Sequence, residues 1–306
     1  MTTAWRDLAL IHRLEFPLPV NYVCYASLGA CFAAGGVQPL GDVSVLAAIV
    51  SNLSLIVAPQ ALNTAADVST DERHPERGRL TSAVRRFGRD RIVRCAAAEL
   101  AGAVLLAGLV SVWSGRPLIV AAAVLTIALQ VLYNTEPVRL KRRGLTGVTA
   151  FCAATVLLPF LLSYWAVRPD VDTAAWLVVA GLWMLAAGRM TAWSIPDRAA
   201  DAATGMQTPP VRYGMAGAVA LCAALLAAGL VLTGWGLWGR YGPWWALPLV
   251  AMQATFLGGA VGLLRRPGEA ARVSKAHILR RMTPPVTIGT VALSVTPLVA
   301  GLDRPP

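Results

Sequence analysis

Long runs of apolar residues, each about 20 residues in length, recur along the chain between shorter polar segments. The runs are rich in Ala, Leu and Val, and they lack the alternation of apolar and polar positions that marks a strand of a membrane barrel. Because backbone N–H and C=O groups find no partner in lipid, we expect these runs to be helices. The pattern predicts about nine spans, at residues 17–36, 43–62, 92–113, 117–135, 146–166, 173–193, 214–235, 243–264 and 284–302.

The longer polar segments all follow even-numbered spans, at residues 64–91, 136–145, 194–213 and 265–283. By the parity of the crossings they emerge on one face of the membrane. No polar segment is long enough to separate two folding units. We therefore predict one all-α integral membrane domain that covers residues 1–306.

Composition supports a membrane protein, since 56% of the 306 residues are hydrophobic and only 14% are charged, with a mean hydropathy of +0.59. These values exclude an ordinary soluble domain. The net charge of +11 would be compatible with binding to nucleic acid, but the placement of the cations argues against it. Of the 27 Lys and Arg residues, 23 fall on the side of the N-terminus, and only Arg116, Arg168, Arg240 and Arg304 fall opposite.

This asymmetry is the positive-inside pattern of membrane proteins. It predicts a multi-pass protein of the cell inner (cytoplasmic) membrane, with the N-terminus and the longer polar segments in the cytoplasm. The lipid bilayer is then the expected partner of the basic residues, and no nucleic acid is expected.

Two groups of acidic residues lie at the ends of apolar spans, where carboxylates are rare. Asn63, Asp67 and Asp71 form what we call the first ladder, and Asp197 and Asp201 form the second ladder. Steps of four residues turn a helix by about 400°, so each ladder stays on one face. A solvated loop would show no such spacing. Carboxylate and amide oxygens in this arrangement favour a hard divalent cation such as Mg²⁺, with substrate phosphate completing its coordination.

A cluster of cations follows the fourth predicted span. In this cationic segment, residues 133–144, Pro137 ends the helix and is followed by Arg139, Lys141, Arg142 and Arg143. One interpretation is a plain topogenic cluster. The other is a clamp for a diphosphate, in which Arg supplies planar forks and Lys a point charge. The two interpretations are compatible.

Three motifs together resemble the UbiA superfamily of intramembrane prenyltransferases. The first is Asn63-x-x-x-Asp67-x-x-x-Asp71, the second is Tyr133 with Pro137 and Arg139-Leu-Lys141, and the third is Asp197-x-x-x-Asp201-x-x-x-Gly205. They occur in the family's order and at the expected spans, so the resemblance covers nearly the whole chain. It implies a helical bundle around a central cavity, capped on the cytoplasmic face by the segments after spans two and six.

The resemblance also implies an activity, which is the Mg²⁺-dependent transfer of a prenyl group from a prenyl diphosphate to a small, aromatic acceptor such as a quinone precursor. Asp67, Asp71, Asp197 and Asp201 would be catalytic and, together with Asn63, would hold the metal. The residues implied to bind the substrate are Asn63, Tyr133, Arg139 and Lys141.

Two positions depart from the family pattern. Thr64 and Ser194 stand where many or some members carry a further acid. Fewer acids leave the general base for the acceptor unidentified, so a membrane terpene cyclase, which ionises a prenyl diphosphate without an acceptor, stays an alternative. A transporter or lipid-binding protein that uses the basic face is a third hypothesis, and it predicts that the ladder acids are dispensable.

Overall fold

The computed structural model describes residues 3–72, 77–266 and 273–302, and within these ranges the chain is helical with no strand, which confirms the all-α prediction. Short 3₁₀ turns at Gln38–Gly41 and Leu140–Arg142 interrupt two of the connections. The helices are α1 (Thr3–Ile11), α2 (Leu18–Ala34), α3 (Val43–Ala66), α4 (Val68–Asp71), α5 (Gly78–Phe87), α6 (Arg89–Ser114), α7 (Leu118–Asn134), α8 (Leu145–Val167), α9 (Thr173–Trp193), α10 (Arg198–Ala203), α11 (Pro209–Arg212), α12 (Gly214–Tyr241), α13 (Pro243–Arg265) and α14 (Lys275–Ala300).

Seven of the described helices are long and apolar enough to cross a membrane, namely α3, α6, α8, α9, α12, α13 and α14. The chain is therefore a multi-pass membrane protein. Helices α2 and α7 are apolar but shorter, with 17 residues each, and they lie at the first and fourth predicted spans. The count of nine crossings depends on these two helices and stays a prediction.

Two apolar clusters fill the bundle, and α2 and α8 contribute to both. Leu28 of α2 and Phe160 of α8 pack in the first cluster, with residues of α9, α12, α13 and α14. Ala30 of α2 and Leu162 of α8 pack in the second cluster, with residues of α3, α6 and α7. Helices α2 and α8 thus stand between the two halves of the bundle.

Helices α9 and α12 approach each other closely because small residues line their contact. A Cβ atom on Gly229 of α12 would lie 2.7 Å from the carbonyl oxygen of Gly181 on α9, so only glycine fits there. Without a hydrophobic driving force between helices in lipid, close packing of small residues is a main source of association. This contact fixes α9, whose end leads into the second ladder.

A buried amide ties the first half of the bundle to the central helices. Asn52 of α3 donates to the carbonyl oxygens of Ala26 on α2 at 2.9 Å and of Pro159 on α8 at 2.7 Å. Residues Ala153–Leu157 of α8 form a π-helical turn just before Pro159. Since proline has no N–H for the carbonyl four residues earlier, this irregularity follows from the sequence.

The two ends of the bundle differ in their polar contacts. At the end that we call the far end, Arg240 contacts Asp172, and Arg116 donates to the carbonyl oxygen of Trp165 at 2.8 Å. The other end, which we call the site end, carries both ladders and the cationic segment. Span parity predicts this division of the charged residues.

Candidate functional site

The first ladder crosses the junction between α3 and α4. Helix α3 ends at the residue before Asp67, yet the N–H of Asp67 donates to the Asn63 carbonyl at 3.0 Å and the N–H of Asp71 donates to the Asp67 carbonyl at 2.8 Å. The helical spacing of the ladder therefore survives the junction. Asn63 Oδ1 and Asp71 Oδ2 are buried and accept no hydrogen bond from the residues that the structure describes.

The second ladder lies in the turn after α9 and in α10. The N–H of Asp201 donates to the Asp197 carbonyl at 2.8 Å, which sets the two side chains one turn apart. Thr208 Oγ1 donates to Asp201 Oδ2 at 2.8 Å. Burial raises the pKa of Asp201 to about 6, against the opposing effect of the Thr208 hydrogen bond.

Arg77 brings the two ladders together. Its guanidinium contacts Asp71 through Nη1, and its Nη2 lies 3.7 Å from Asp197 Oδ2. Further cations flank both acids, since Lys275 Nζ lies 2.7 Å from Asp197 Oδ1 and Arg13 Nη2 lies 3.9 Å from Asp71 Oδ2. Burial nevertheless raises the pKa of Asp71, because the loss of water outweighs the two arginines.

The cationic segment reaches the first ladder. Lys141, which is buried, contacts Asp67 through Nζ, and Arg139 Nη2 lies 3.4 Å from the same carboxylate oxygen. Burial lowers the pKa of Lys141, although Asp67 opposes that effect. Tyr133 is also buried, with its ring centroid 5.0 Å from that of Phe151, but within the described residues its hydroxyl makes no hydrogen bond to a ladder acid.

A backbone contact joins the cationic segment to the loop after the second ladder. The N–H of Gln207 donates to the carbonyl oxygen of Arg142 at 3.1 Å. Gly144 has φ +60°, in the left-handed region, and a Cβ atom there would lie 2.9 Å from the Gln207 carbonyl oxygen. Glycine is therefore required for this approach, which holds all three motifs at one end of the bundle.

The two positions without the expected acids have structural partners. Thr64 Oγ1 donates to the carbonyl oxygen of Ile11 at 3.1 Å and accepts from Arg13 Nε at 3.4 Å, so it holds the connection between α1 and α2. Ser194 Oγ donates to the carbonyl oxygen of Thr191 at 2.7 Å, which closes the end of α9. Neither hydroxyl adds a charge to the site.

Sequence pattern alone does not indicate that Arg13, Arg77 and Lys275 belong to the site. They contact acids up to 120 positions away along the chain, and in the sequence they look like cations beside spans. Such contacts depend on how the helices pack and rotate. With Arg139 and Lys141, these residues surround the ladders with positive charge.

The donor set fits Mg²⁺ only when a diphosphate is bound with it. Within residues 3–72, 77–266 and 273–302, no three His, Cys, Asp or Glu side chains cluster closely enough to hold a metal by themselves. Mg²⁺ commonly takes one or two carboxylates, with substrate phosphate and water as the remaining ligands. Asn63 Oδ1 and Asp71 Oδ2 are buried, accept no hydrogen bond from the described residues, and are hard oxygen donors of this kind. The nearby cations would then pair with the negative charge of the diphosphate.

A cavity of about 1040 Å³ opens beside the ladders, between α1, α5 and the first turn of α14. We call it the basic vestibule. Its apolar wall includes Leu18, Trp193 and Leu279. Five cations line it, namely Arg6, Arg13, Arg77, Arg79 and Lys275. Of these, Arg13, Arg77 and Lys275 also contact ladder acids.

The sequence model of the UbiA prenyltransferase family matches residues 22–297, which is most of the chain. None of the curated proteins compared with the chain matches it significantly.

Solved structures share the fold at low sequence identity. A UbiA homologue from Archaeoglobus fulgidus bound to DMAPP and Mg²⁺ has a TM-score of 0.71 at 17% identity, over 97% of this chain and 100% of its own. A UbiA homologue from Aeropyrum pernix K1 without ligand has a TM-score of 0.68 at 16% identity, over 94% and 99%. A structure from a study of digeranylgeranylglyceryl phosphate synthase in membranes has a TM-score of 0.66 at 15% identity, over 96% and 100%.

Proposed function

The chain belongs to the UbiA prenyltransferase family, and from that premise we propose that it transfers the prenyl group of a prenyl diphosphate, bound with Mg²⁺, to a small, aromatic acceptor. One observation carries this proposal more than any other. Arg77 brings Asp71 of the first ladder and Asp197 of the second ladder to the same place, next to the cavity. The similar protein from A. fulgidus is bound to DMAPP and Mg²⁺.

We assign the diphosphate to the space between the ladders and the cations. Arg139 and Lys141 contact Asp67, so a diphosphate held beside that carboxylate through the metal would lie near their N–H groups. Arg77 pairs with both ladders where the metal and the diphosphate would sit, so its side chain would move when they bind. The proposed metal ligands are Asn63, Asp67, Asp71, Asp197 and Asp201, and Tyr133 is proposed to line the substrate site.

The reaction breaks the allylic C–O bond, and the bonding electrons leave with the diphosphate. Bound Mg²⁺ supplies Lewis-acid stabilisation of that leaving group. The nearby Arg and Lys side chains stabilise the same negative charge most strongly in the transition state. A nucleophilic carbon of the acceptor then bonds to the allylic carbon and loses a proton to the released diphosphate or to water.

The bundle keeps water away from the allylic cation. The interior below the site is built from the apolar residues around α2 and α8. An isoprenoid tail is itself apolar, so such surroundings favour it over water. The longer loops at the site end would cover the diphosphate. We propose that this end faces the cytoplasm of the inner membrane, as the distribution of Lys and Arg indicates.

The first test is turnover by the purified protein in lipid nanodiscs, with prenyl diphosphates of several lengths and a panel of phenolic and quinone-precursor acceptors. Product masses distinguish an acceptor adduct from the hydrocarbon or terpenol of a cyclase. We expect adducts that require Mg²⁺ and disappear with EDTA. Activity in metal-free buffer, or product formed without acceptor, contradicts the proposed reaction.

Variants of the ladders give the matched comparison. Asp71→Asn and Asp197→Asn should each lower kcat by about a hundredfold or more, because each removes a charge that holds the metal and the leaving group. Asp170→Asn, at an exposed carboxylate beyond the end of α8, should leave turnover unchanged. Turnover by Asp71→Asn and Asp197→Asn equal to that of Asp170→Asn would assign the ladders a purely structural role and contradict the proposed mechanism.

A further inference from the structure

The mouth of the basic vestibule combines exposed cations with an exposed apolar side chain. Arg6 of α1 and Arg79 of α5 line the vestibule and are exposed to its outside. Phe16, which follows α1, lines it as well and is 80% exposed. Among the described lining residues Glu15 is the single acid, against five cations. The mouth is therefore both positively charged and partly apolar.

Neighbouring acids do not neutralise the two arginines of the mouth. The three inner cations of the vestibule pair with ladder acids. Asp7, the acid next to Arg6, is bound by Arg86, which makes two hydrogen bonds to it at 2.7 and 2.9 Å. In the part of the chain that the structure describes, no carboxylate forms an ion pair with Arg6 or Arg79. The charge of the mouth is thus open to an anion from outside the protein.

The apolar part of the mouth continues onto the membrane-facing surface of α2. Leu18 lines the vestibule and is the first residue of α2. Leu14 and Phe16 precede it and are both exposed, and Val23 is 52% exposed further along the helix. Apolar side chains therefore extend from the mouth to the surface that faces lipid. A molecule with an anionic head and an apolar tail matches this sequence of surfaces.

A contact just below the mouth directs such a tail along the outside of the bundle. Asn21 of α2 donates to Thr287 Oγ1 of α14 at 3.2 Å, and both side chains are buried. Asn21 follows Leu18 of the vestibule wall by three residues, which is less than one helical turn. Since α2 and α14 are joined at this depth, a tail that starts at the mouth lies on the outer surface of α2. This is the placement of a bilayer lipid with its headgroup in the mouth.

We propose that Arg6 and Arg79 bind the phosphate of an anionic phospholipid of the surrounding bilayer, and that its acyl chains lie along Phe16 and the outer surface of α2. Guanidinium groups match phosphate oxygens in geometry and charge. Basic pockets between helices at a membrane surface bind lipid headgroups of this kind. The vestibule, at about 1040 Å³, is as large as sites for whole small molecules, so a headgroup fits beside the space between the ladders. The lipid site is separate from the proposed diphosphate site.

Native mass spectrometry of the full-length protein, released from micelles with equal amounts of phosphatidylglycerol and phosphatidylcholine, counts the bound lipids. We expect one phosphatidylglycerol to bind about tenfold more tightly than phosphatidylcholine, whose choline group carries a cation. Replacing both arginines, as Arg6→Gln with Arg79→Gln, should reduce this preference to about twofold or less. The matched control is Arg94→Gln with Arg265→Gln, which removes the same charge from two exposed arginines at the site end outside the vestibule. The control should keep the preference.

Competition with free anions identifies the source of the phosphate. An excess of inorganic phosphate should leave the phospholipid bound, because the free ion lacks acyl chains, and displacement by it would assign the mouth to a soluble anion. Displacement by inorganic diphosphate with Mg²⁺ would place the lipid phosphate between the ladders. Either displacement, or an equal loss of preference in the control variant, overturns the inference.

Further variants separate the site from the fold. Arg6→Lys with Arg79→Lys should retain part of the preference, and Phe16→Ala should weaken phosphatidylglycerol binding, whereas Trp244→Ala, at an exposed side chain of the far end, should not. Unfolding midpoints in nanodiscs verify that each variant is folded. A folded Arg6→Gln, Arg79→Gln protein with the wild-type preference contradicts the proposed lipid site. The assay needs no turnover, so its result is independent of prenyl transfer.

Discussion

Each ladder acid meets its own partners, and Arg77 is the residue whose contacts connect the two ladders. Its guanidinium lies between Asp71 and Asp197, where repulsion between the carboxylates would otherwise have to be relieved by water. A side chain that neutralises an acidic site until metal and diphosphate arrive lowers the energy of the ligand-free protein. When the diphosphate binds, the Arg77 guanidinium can pair with it instead of with the ladder acids, so the cation keeps an anionic partner.

Arg139 provides the residue-scale prediction for the cationic segment. Arg139→Ala should raise the KM for the prenyl diphosphate by about tenfold, because one charge-assisted hydrogen bond to phosphate is lost. Arg143→Ala is the matched control, since Arg143 is exposed and donates to the Val138 carbonyl oxygen at 3.0 Å without contacting a ladder acid. Steady-state kinetics in nanodiscs give both values. Equal KM values for the two variants would mean that the segment acts only in topology.

Two ion pairs hold helix α1 against the bundle, and one of them contains a titratable histidine. Arg86 makes two hydrogen bonds to Asp7, at 2.7 and 2.9 Å, and His12 Nε2 lies 3.3 Å from Glu99 Oε2. The hydrogen bond to Glu99 raises the pKa of His12, against the opposing effect of burial. Protonated His12 therefore stabilises the docked helix, which forms one wall of the basic vestibule.

Because the pKa of His12 is raised in the folded protein, the stability that this ion pair adds should depend on pH. The stabilisation is fully present below the ordinary His pKa of about 6.5 and is lost as the pH rises through the higher pKa of the folded state. Wild type and Glu99→Gln should therefore differ most in unfolding midpoint near pH 6 and converge on the alkaline side. Thermal unfolding across this range measures the difference. A gap that is constant with pH would assign Glu99 a role unrelated to His12.

The contact between α9 and α12 gives a second prediction at the scale of elements. Gly229→Ala should lower the unfolding midpoint, because the added Cβ would meet the Gly181 carbonyl oxygen at 2.7 Å and force the helices apart. Gly239→Ala on the same helix meets nothing within 4 Å and should be neutral or slightly stabilising, as alanine favours a helix. Thermal unfolding in nanodiscs compares the midpoints of the two variants. Similar midpoints would show that α9 and α12 can move apart at little cost in stability.

Some boundaries of the spans could be predicted from the sequence, and the cation partners of the site could not. The sixth span, predicted at 173–193, matches α9 (Thr173–Trp193), since Asp172 caps one end and polar residues follow the other. The ninth, predicted from 284, begins nine residues earlier at Lys275, because Ser274 caps a polar helical stretch that apolar patterning does not mark. Spacing also predicted the ladders as helical faces. Their pairing with Arg13, Arg77 and Lys275 depends on helix rotation, which hydrophobicity does not specify.

At the scale of the whole molecule, the charges divide between two ends, and this division makes the orientation testable. The far end carries Arg116, Arg168 and Arg240, while the ladders, the cationic segment and the basic vestibule lie at the site end. Lys and Arg are retained on the cytoplasmic side, so we expect the site end to face the cytoplasm.

Labelling with a membrane-impermeant maleimide in intact bacterial cells measures that orientation. Cys95→Ser leaves only the buried cysteines Cys24, Cys31, Cys152 and Cys222, which gives an unreactive background. In that background, Asp170→Cys at the far end should react from outside, whereas Ser82→Cys on α5 should react only after the cells are permeabilised, because diphosphate substrates are made and kept inside. Both positions are exposed, so a failure to label reports sidedness rather than burial. The reverse pattern would place the ladders outside, away from any cytoplasmic prenyl diphosphate, and would contradict the proposed reaction together with the orientation.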